Sequence, residues 1–138
     1  MLDINLIDAC LGDRGRYAYS FGAIRAAGVP LMFSSDCPVC DPNPLVGIAG
    51  AVNRRRVDGT PPGGWHPEHC LPVAAAVAAM TAAPARIHGL WNRLGSLTSG
   101  KRADLIVLDR DIYFTDPGQI HSAKVALTVF DGRIVYRP

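Results

Sequence analysis

An apolar stretch near the start of the chain, Val29-Pro-Leu-Met-Phe-Ser-Ser-Asp36, ends in an acidic residue. This short apolar run follows a segment with helix-like apolar spacing, Tyr19 to Ala27, and the glycine that ends it, Gly28. Glycine commonly follows the C-terminus of a helix, and a compact apolar run entered from a helix end is typical of a buried parallel strand in an α/β protein. The sequence therefore predicts a helix and then a strand, with Asp36 at the carboxyl end of the strand.

Loops and helices are predicted to alternate after this strand. Three prolines within Cys37–Pro44 predict a constrained loop, and a helix over Leu45–Arg56 follows. The segment Asp58–Pro67 is rich in glycine and proline and separates this helix from an alanine-rich helix over Val73–Ala83. Ala85–Leu90 is predicted to add another turn or two.

The character of the chain changes at Gly95. Three short β-branched runs follow, Leu105–Leu108, Val125–Phe130 and Arg133–Tyr136. The dipeptide Asp131-Gly132 joins the last two and is a strong hairpin signal, because a type I′ turn needs positive φ at both central residues. The C-terminal part is therefore predicted to be a small antiparallel β unit.

Composition limits the classes of function. The chain has 138 residues, 49% of them hydrophobic, with 14 Lys and Arg against 12 Asp and Glu, so it can bury one core and builds no general field for nucleic acid or anionic lipid. Its longest apolar stretch, Val73–Met80, is far shorter than the roughly 20 residues that span a bilayer. Acidic residues within Met1–Asp8 do not fit a signal peptide. We expect a cytoplasmic protein with reduced thiols and no nucleic-acid or membrane partner.

Six motifs in order along the chain resemble the amidohydrolase superfamily, and within it the branch of enzymes similar to N-substituted formamide deformylase. The resemblance extends from about Leu11 to Tyr136 and concerns only the C-terminal portion of the family. The motifs are Tyr19-Ser-Phe, Ala27-Gly-Val29, Ser34-Ser-Asp-Cys-Pro-Val39, Ala51-Val-Asn-Arg54, Thr81-Ala-Ala-Pro-Ala85 and Gly95-Ser-Leu-Thr-Ser-Gly-Lys-Arg-Ala-Asp-Leu-Ile-Val-Leu-Asp109.

The resemblance implies an α/β fold in two parts. Residues 1–94 would form the C-terminal part of a TIM-type (β/α)8 barrel, consisting of strand eight and its flanking helices, and residues 95–138 would form part of a small antiparallel β-sandwich domain. In such barrels the active site lies where the strands end.

The resemblance also implies the site residues. Asp36 would be the aspartate of strand eight, a ligand of a divalent metal, expected to be zinc, and the acceptor of a proton from the metal-bound water that attacks the substrate carbonyl. The implied reaction is hydrolysis of a carbon–nitrogen bond in a small amide-type substrate. Ser34 departs from the family, which usually has glycine there. Arg14 aligns with a family arginine that could face the substrate or pair with a carboxylate, and both readings stay open.

The other metal ligands of the family are not in this sequence. Family members supply a His-x-His pair from strand one, a carboxylated lysine or an equivalent carboxylate, and further histidines from strands five and six. The four histidines here, His66, His69, His88 and His121, match none of these positions. A single carboxylate should bind zinc weakly or not at all. We expect the chain by itself to hold no metal and to be inactive.

Two further motifs have alternative interpretations. Cys37-Pro-Val-Cys40 could be a redox pair, or half of a zinc site completed by His66 and His69. The prolines that follow disfavour a helix starting there, which favours two unrelated loop cysteines. The run Arg54-Arg-Arg56 could contact phosphate, but its position near a helix end favours a solvated helix terminus.

Association is also expected. The family builds its β-domain from both ends of the chain, so the strands after Gly95 would have open edges here, and open edges promote pairing. We expect a homo-oligomer, most simply a dimer, or association with an N-terminal barrel segment. Two hypotheses remain: part of a hydrolase, or a non-catalytic oligomeric remnant. The substrate stays open, because only the strand-eight loop, Cys37–Pro44, is present.

Overall fold

A computed structural model describes residues 3–138 of the chain as a mixed α/β structure. The helices are α1 (Ile4–Leu11), α2 (Phe21–Ala26), α3 (Pro44–Asn53), α4 (Val73–Met80) and α5 (Ala82–Ile87). The strands are β1 (Leu105–Leu108), β2 (Val125–Phe130) and β3 (Arg133–Tyr136). Short 3-10 helices cover Gly12–Tyr17, Pro67–His69 and Pro117–Ser122. Within the described range no helix is long and apolar enough to cross a membrane.

Helix α3 is the central helix, and its start follows from local chemistry. The side chain of Asn43 accepts a hydrogen bond from the backbone N–H of Leu45 at 3.0 Å, and Pro44 occupies the first helical position, where its missing N–H costs nothing. The helix ends at Arg54, which adopts the left-handed conformation with φ 55°. The predicted helix over Leu45–Arg56 is thus confirmed with ends close to those expected.

The alanine-rich helix is interrupted at Thr81, where the sequence predicts that it continues. The predicted helix over Val73–Ala83 divides at Thr81 into α4 and α5. Pro84 explains the interruption, because it has no N–H to donate to the carbonyl of Met80 and its ring would clash with that carbonyl in a continuous helix. The Thr81 hydroxyl donates to the carbonyl of Val77 at 2.8 Å and closes the end of α4.

The core forms where α3 packs against α4 and the 3-10 helix at Pro117–Ser122. Its buried members come from both sides of Gly95, the residue at which the predicted domains were divided; that boundary stays a prediction. The cluster consists of Leu45, Ile48, Ala49, Ala51, Leu71, Ala76, Ile112, Ile120 and Ala123.

The three strands form one antiparallel sheet in the order β1-β2-β3. Phe130 pairs with Arg133 across the turn, and both turn residues have positive φ, 50° at Asp131 and 77° at Gly132. The predicted hairpin and all three predicted strands are therefore confirmed. The outer edges of β1 and β3 have no strand beside them among residues 3–138. Ile134 is 62% exposed, so this sheet presents apolar surface as well as open edges.

The predicted strand over Val29–Ser35 does not form among the described residues. The segment has no regular secondary structure and pairs with no strand in the described part. Its backbone instead bonds to helices: Val29 N–H donates to Ile24 at 3.2 Å and Phe33 N–H to Ala79 at 3.0 Å. A parallel strand forms only beside neighbouring strands, and the sheet here is built from residues far along the chain. The helix predicted before this segment is confirmed as α2.

The interpretation of Arg54–Arg56 as a solvated helix terminus is wrong for Arg54, which is 0% exposed. Its Nε donates to the carbonyl of Trp65 at 2.7 Å, and its other nitrogens donate to the carbonyls of Tyr19 and Ala18. The guanidinium also lies 5.0 Å from the centre of the Trp65 ring. Burial lowers the pKa of Arg54. The hydrogen bonds of its guanidinium connect backbone segments that are distant in sequence.

Helix α1 was not predicted from the sequence. It is attached through side chains: Ile4 is buried, and the Trp65 indole N–H donates to the carboxylate of Asp8 at 3.0 Å. The same tryptophan therefore contacts both α1 and the buried Arg54. Contacts between distant residues hold this helix in place, which explains why local spacing did not reveal it.

We expect Arg54→Met to lower the free energy of unfolding by about 3 kcal/mol, because the substitution leaves two or three carbonyls without a donor. The matched control is Arg56→Met, whose side chain bonds to Thr60 and Asn5 near the surface and should cost less than about 1 kcal/mol. Urea denaturation followed by circular dichroism measures both. Equal effects of the two substitutions would contradict the stabilising role assigned to the buried guanidinium of Arg54.

We expect Gly95→Ala to destabilise the chain more than Gly100→Ala. Both glycines have φ near +90°, at +87° and +89°, so each substitution carries a backbone cost of about 1–2 kcal/mol. Only at Gly95 would the new methyl group lie 2.5 Å from the Cβ of Ala85, whereas nothing lies within 4 Å at Gly100. The crowding should add about 2 kcal/mol. Thermal unfolding of the pair tests this, and similar melting temperatures would refute it.

Candidate functional site

The residues around Asp36 form a turn that is organised by its own side chains. The Ser34 hydroxyl accepts from the N–H of Asp36 at 3.1 Å, and the Ser35 hydroxyl accepts from the N–H of Cys37 at 3.3 Å. The N–H of Val39 donates to the carbonyl of Asp36 at 2.8 Å. Asp36 itself has φ 54°, in the left-handed region that aspartate tolerates better than most residues. The turn leaves the Asp36 carboxylate exposed.

The loop that follows leads directly into α3. The carboxylate of Asp41 accepts from the N–H of Asn43 at 2.8 Å, and Asn43 in turn caps the helix. Short polar side chains that bond to the backbone two residues later are typical of such turns. Cys37 and Cys40 are both exposed free thiols. The loop is therefore an ordered connection between the Asp36 turn and the helix.

A groove of about 440 Å³ runs along α3. It is lined by residues of α3 together with Phe33 and Met80. Tyr19 and Asp3 also line it; the Tyr19 hydroxyl donates to Asp3 at 3.1 Å, and burial together with this bond raises the pKa of Tyr19. The polar residues of the groove include Ser34, Ser35, Asp41, Asn43, Asn53, Arg55, Arg56 and His121.

The structure does not bring the two predicted site residues together in this groove. Asp36 and Arg14 are both exposed, and neither lines the groove. Asp36 directly follows Ser35, which lines the groove, whereas Arg14 belongs to the 3-10 helix at Gly12–Tyr17. Their assigned roles as metal ligand and substrate contact stay predictions.

The residues present do not fit a metal ion by themselves. Among residues 3–138 no three His, Cys, Asp or Glu side chains form a group that could hold one. The alternative zinc site of Cys37, Cys40, His66 and His69 is therefore wrong for this structure. His69 instead contacts the carbonyl of Arg16 through Nε2 at 3.1 Å, and His66 lies 3.5 Å from Glu68. A metal site that used Asp36 would need ligands from outside these residues.

Sequence reasoning missed the groove and the position of Arg55. The Nε of Arg55 is buried and has no hydrogen-bond partner within residues 3–138, and Arg55 also lines the groove. The run of three arginines was the available signal, but a run of cations at a helix end reads as solvated surface. Only the structure distinguishes Arg54, whose three side-chain nitrogens each have an acceptor, from Arg55, whose Nε has none among residues 3–138.

Comparison with known proteins gives consistent matches. The model of the amidohydrolase family, Amidohydro_3, matches residues 3–136. YtcJ of Bacillus subtilis, which is named as an amidohydrolase, is 31% identical over 131 residues, covering 95% of this chain and 25% of its own. N-substituted formamide deformylase of Arthrobacter pascens is 33% identical over 110 residues, covering 80% and 20%. The protein LONG AFTER FAR-RED 3 of Arabidopsis thaliana is 33% identical over 122 residues, covering 86% and 20%.

A solved structure supports the fold. The crystal structure of an amidohydrolase from Thermotoga maritima superposes with a TM-score of 0.57 at 24% identity, covering 87% of this chain and 26% of that one. The match confirms that the chain has the fold of one portion of an amidohydrolase. This chain spans about a quarter of the length of the proteins it matches, and the homologous region is the C-terminal 20–25% of full-length amidohydrolases.

Proposed function

We propose, because this chain belongs to the amidohydrolase family, that its 138 residues form the C-terminal part of a metal-dependent hydrolase acting on a carbon–nitrogen bond of a small amide-type substrate. By themselves these residues are inactive. The observation that carries the proposal is the family match over residues 3–136, combined with the alignment to the C-terminal part of full-length relatives. The remaining three quarters of such a protein would supply the rest of the active site.

Asp36 is the contribution of this chain to that site. It lies in a turn that is organised by the hydroxyl groups of Ser34 and Ser35, and Asp36 is exposed. In a (β/α)8 barrel the functional groups stand at the carboxyl ends of the strands, and residues 29–35 would become such a strand once neighbours flank them. A divalent metal, expected to be zinc, would have Asp36 as one ligand among several from the rest of the protein. Zinc would activate water or polarise a carbonyl there.

The rest of the chain supports the same assignment. Residues 1–94 are proposed as barrel and residues 95–138 as part of a β-sandwich domain, and the open edges of β1 and β3 leave room for further strands. The reaction class follows from relatives such as N-substituted formamide deformylase. Arg14 is proposed as a substrate contact, because its exposed position leaves its side chain accessible to a second segment.

We expect Asp36→Asn to abolish hydrolysis in a joined protein, made by replacing the C-terminal fifth of the N-substituted formamide deformylase of Arthrobacter pascens with this chain. Loss of a carboxylate ligand should reduce activity on N-substituted formamides at least about 100-fold and reduce bound zinc, since even outer-shell changes cost 10–100-fold. Activity assays and elemental analysis on the same sample measure both.

The matched control for this test is Asp41→Asn in the same loop. The Asp41 side chain accepts one backbone hydrogen bond, which an asparagine oxygen can also accept, so activity and metal content should stay near those of the parent protein. A joined protein whose zinc and activity persist after Asp36→Asn would remove Asp36 from the site. A joined protein that folds but holds no metal would argue against the hydrolase assignment itself.

A second candidate function is a non-catalytic oligomeric module. The observation that favours it is the sheet: β3 is exposed along its whole length, and Ile134, Val135 and Tyr136 are each at least half exposed. An exposed, apolar edge strand is a template for pairing with another chain. The isolated chain would then associate through this edge, with or without an ancestral active site.

We expect the isolated chain to be a dimer by light scattering, with a mass about twice 14.7 kDa. Ile134→Lys, which places a charge on the open edge, should convert it to a monomer. Leu97→Lys is the matched control, because Leu97 is 82% exposed but lies outside the sheet, and this variant should remain a dimer. A monomeric parent chain, or a dimer unaffected by Ile134→Lys, would reject association through β3.

A further inference from the structure

The side chain of Arg55 has a buried donor that lacks a hydrogen-bond acceptor. Its Nε is buried without an acceptor in the described part of the chain, although buried donors are almost always paired. The neighbouring Arg56 already donates to Thr60 at 3.1 Å and to Asn5 at 2.8 Å. No carboxylate within residues 3–138 forms an ion pair with Arg55. Its surroundings therefore favour an acceptor from another segment.

The groove beside Arg55 is lined mainly by apolar atoms, as interface cores often are. Phe33, Val46 and Met80 contribute apolar side chains to it, and each of the three is only partly buried. Gly47 and Gly50 also line it from α3, and the Met80 methyl group packs against Gly47. An apolar groove beside a cation fits a segment with an apolar ridge and a nearby anion.

The lengths of the relatives indicate where such a segment comes from. The alignment with the Bacillus subtilis relative includes 95% of this chain but only 25% of the relative. The superposition on the Thermotoga maritima structure likewise leaves about three quarters of that chain unmatched. The homologous region is C-terminal, so the unmatched part precedes it. In a folded relative, the unmatched segment must pack against some surface of the matched quarter. The groove along α3 is an apolar surface that is open to such a segment.

We propose that the groove along α3 is the docking surface for the amidohydrolase segment that precedes this region in relatives, and that a carboxylate of that segment pairs with Arg55. The inference rests on the proposed function and adds to it the contact surface and the charge of the partner. A carboxylate is the acceptor that matches the planar, forked donors of arginine. Arg55 thus acts as an anchor for assembly and has no part in the chemistry.

The test is co-expression of the tagged chain with the preceding three quarters of the Bacillus subtilis relative, followed by capture and quantification of that named partner. The unsubstituted chain should capture it at one to one. Arg55→Glu should reduce capture at least about tenfold, because it places like charges across the groove, a juxtaposition that costs several kcal/mol at interfaces. Val46→Glu on the apolar wall should reduce it similarly. Arg93→Glu is the matched control, an exposed arginine outside the groove, and should not change capture.

The outcomes separate this inference from the proposed function. Capture that survives both Arg55→Glu and Val46→Glu would overturn the groove as the docking surface while leaving the hydrolase assignment intact. Failure of the unsubstituted chain to capture the partner would overturn both. If Arg55→Glu instead halves the mass of the isolated chain in light scattering, the groove holds a second copy and the inference is wrong. Circular dichroism establishes that each variant is folded, and Val46→Glu leaves Arg55 untouched should the first variant unfold.

Discussion

The buried guanidinium of Arg54 is the interaction on which the helical part depends. It joins three regions that are distant in sequence: the end of α3, the loop carrying Trp65, and the backbone at Ala18 and Tyr19. Trp65 then extends the connection to α1 through Asp8. Burying a cation without a carboxylate beside it is costly, and the carbonyl oxygens and the aromatic ring offset that cost. The end of α3 is therefore fixed from within.

The same end of α3 carries two arginines in opposite situations. Arg54 turns inward at the helix end, where its backbone is left-handed, and each of its three side-chain nitrogens has a carbonyl acceptor. Arg55 follows with a buried Nε that finds none within residues 3–138. A fixed backbone beside an unsatisfied donor is what a docking surface requires, because the anchor is already positioned before a partner arrives.

The sequence predicts correctly the elements whose formation depends on neighbouring residues alone. Asp131-Gly132 sets the hairpin, and the alanine-rich run with Pro84 sets two short helices, although the break at Thr81 went unnoticed. The composition of Val29–Ser35 predicts a strand, but a strand also needs neighbours, and residues 3–138 place none beside it. The role of Arg54 depends on Trp65, eleven residues further on, and no periodicity marks such a contact. The resemblance of motifs identified the family, whereas the groove and Arg55 became visible only in three dimensions.

The turn at Asp36 has a consequence for how an active site can be divided between segments. Its hydroxyl-to-backbone bonds involve only residues within two positions of one another, so the carboxylate is presented by a self-contained unit. The loss of backbone entropy needed to place this residue occurs when the local turn forms. A second segment that brought the remaining ligands would then have to order only the Asp36 side chain and lose rigid-body freedom. Such a turn could be inherited, duplicated or separated by gene fission without losing the backbone geometry that carries its carboxylate.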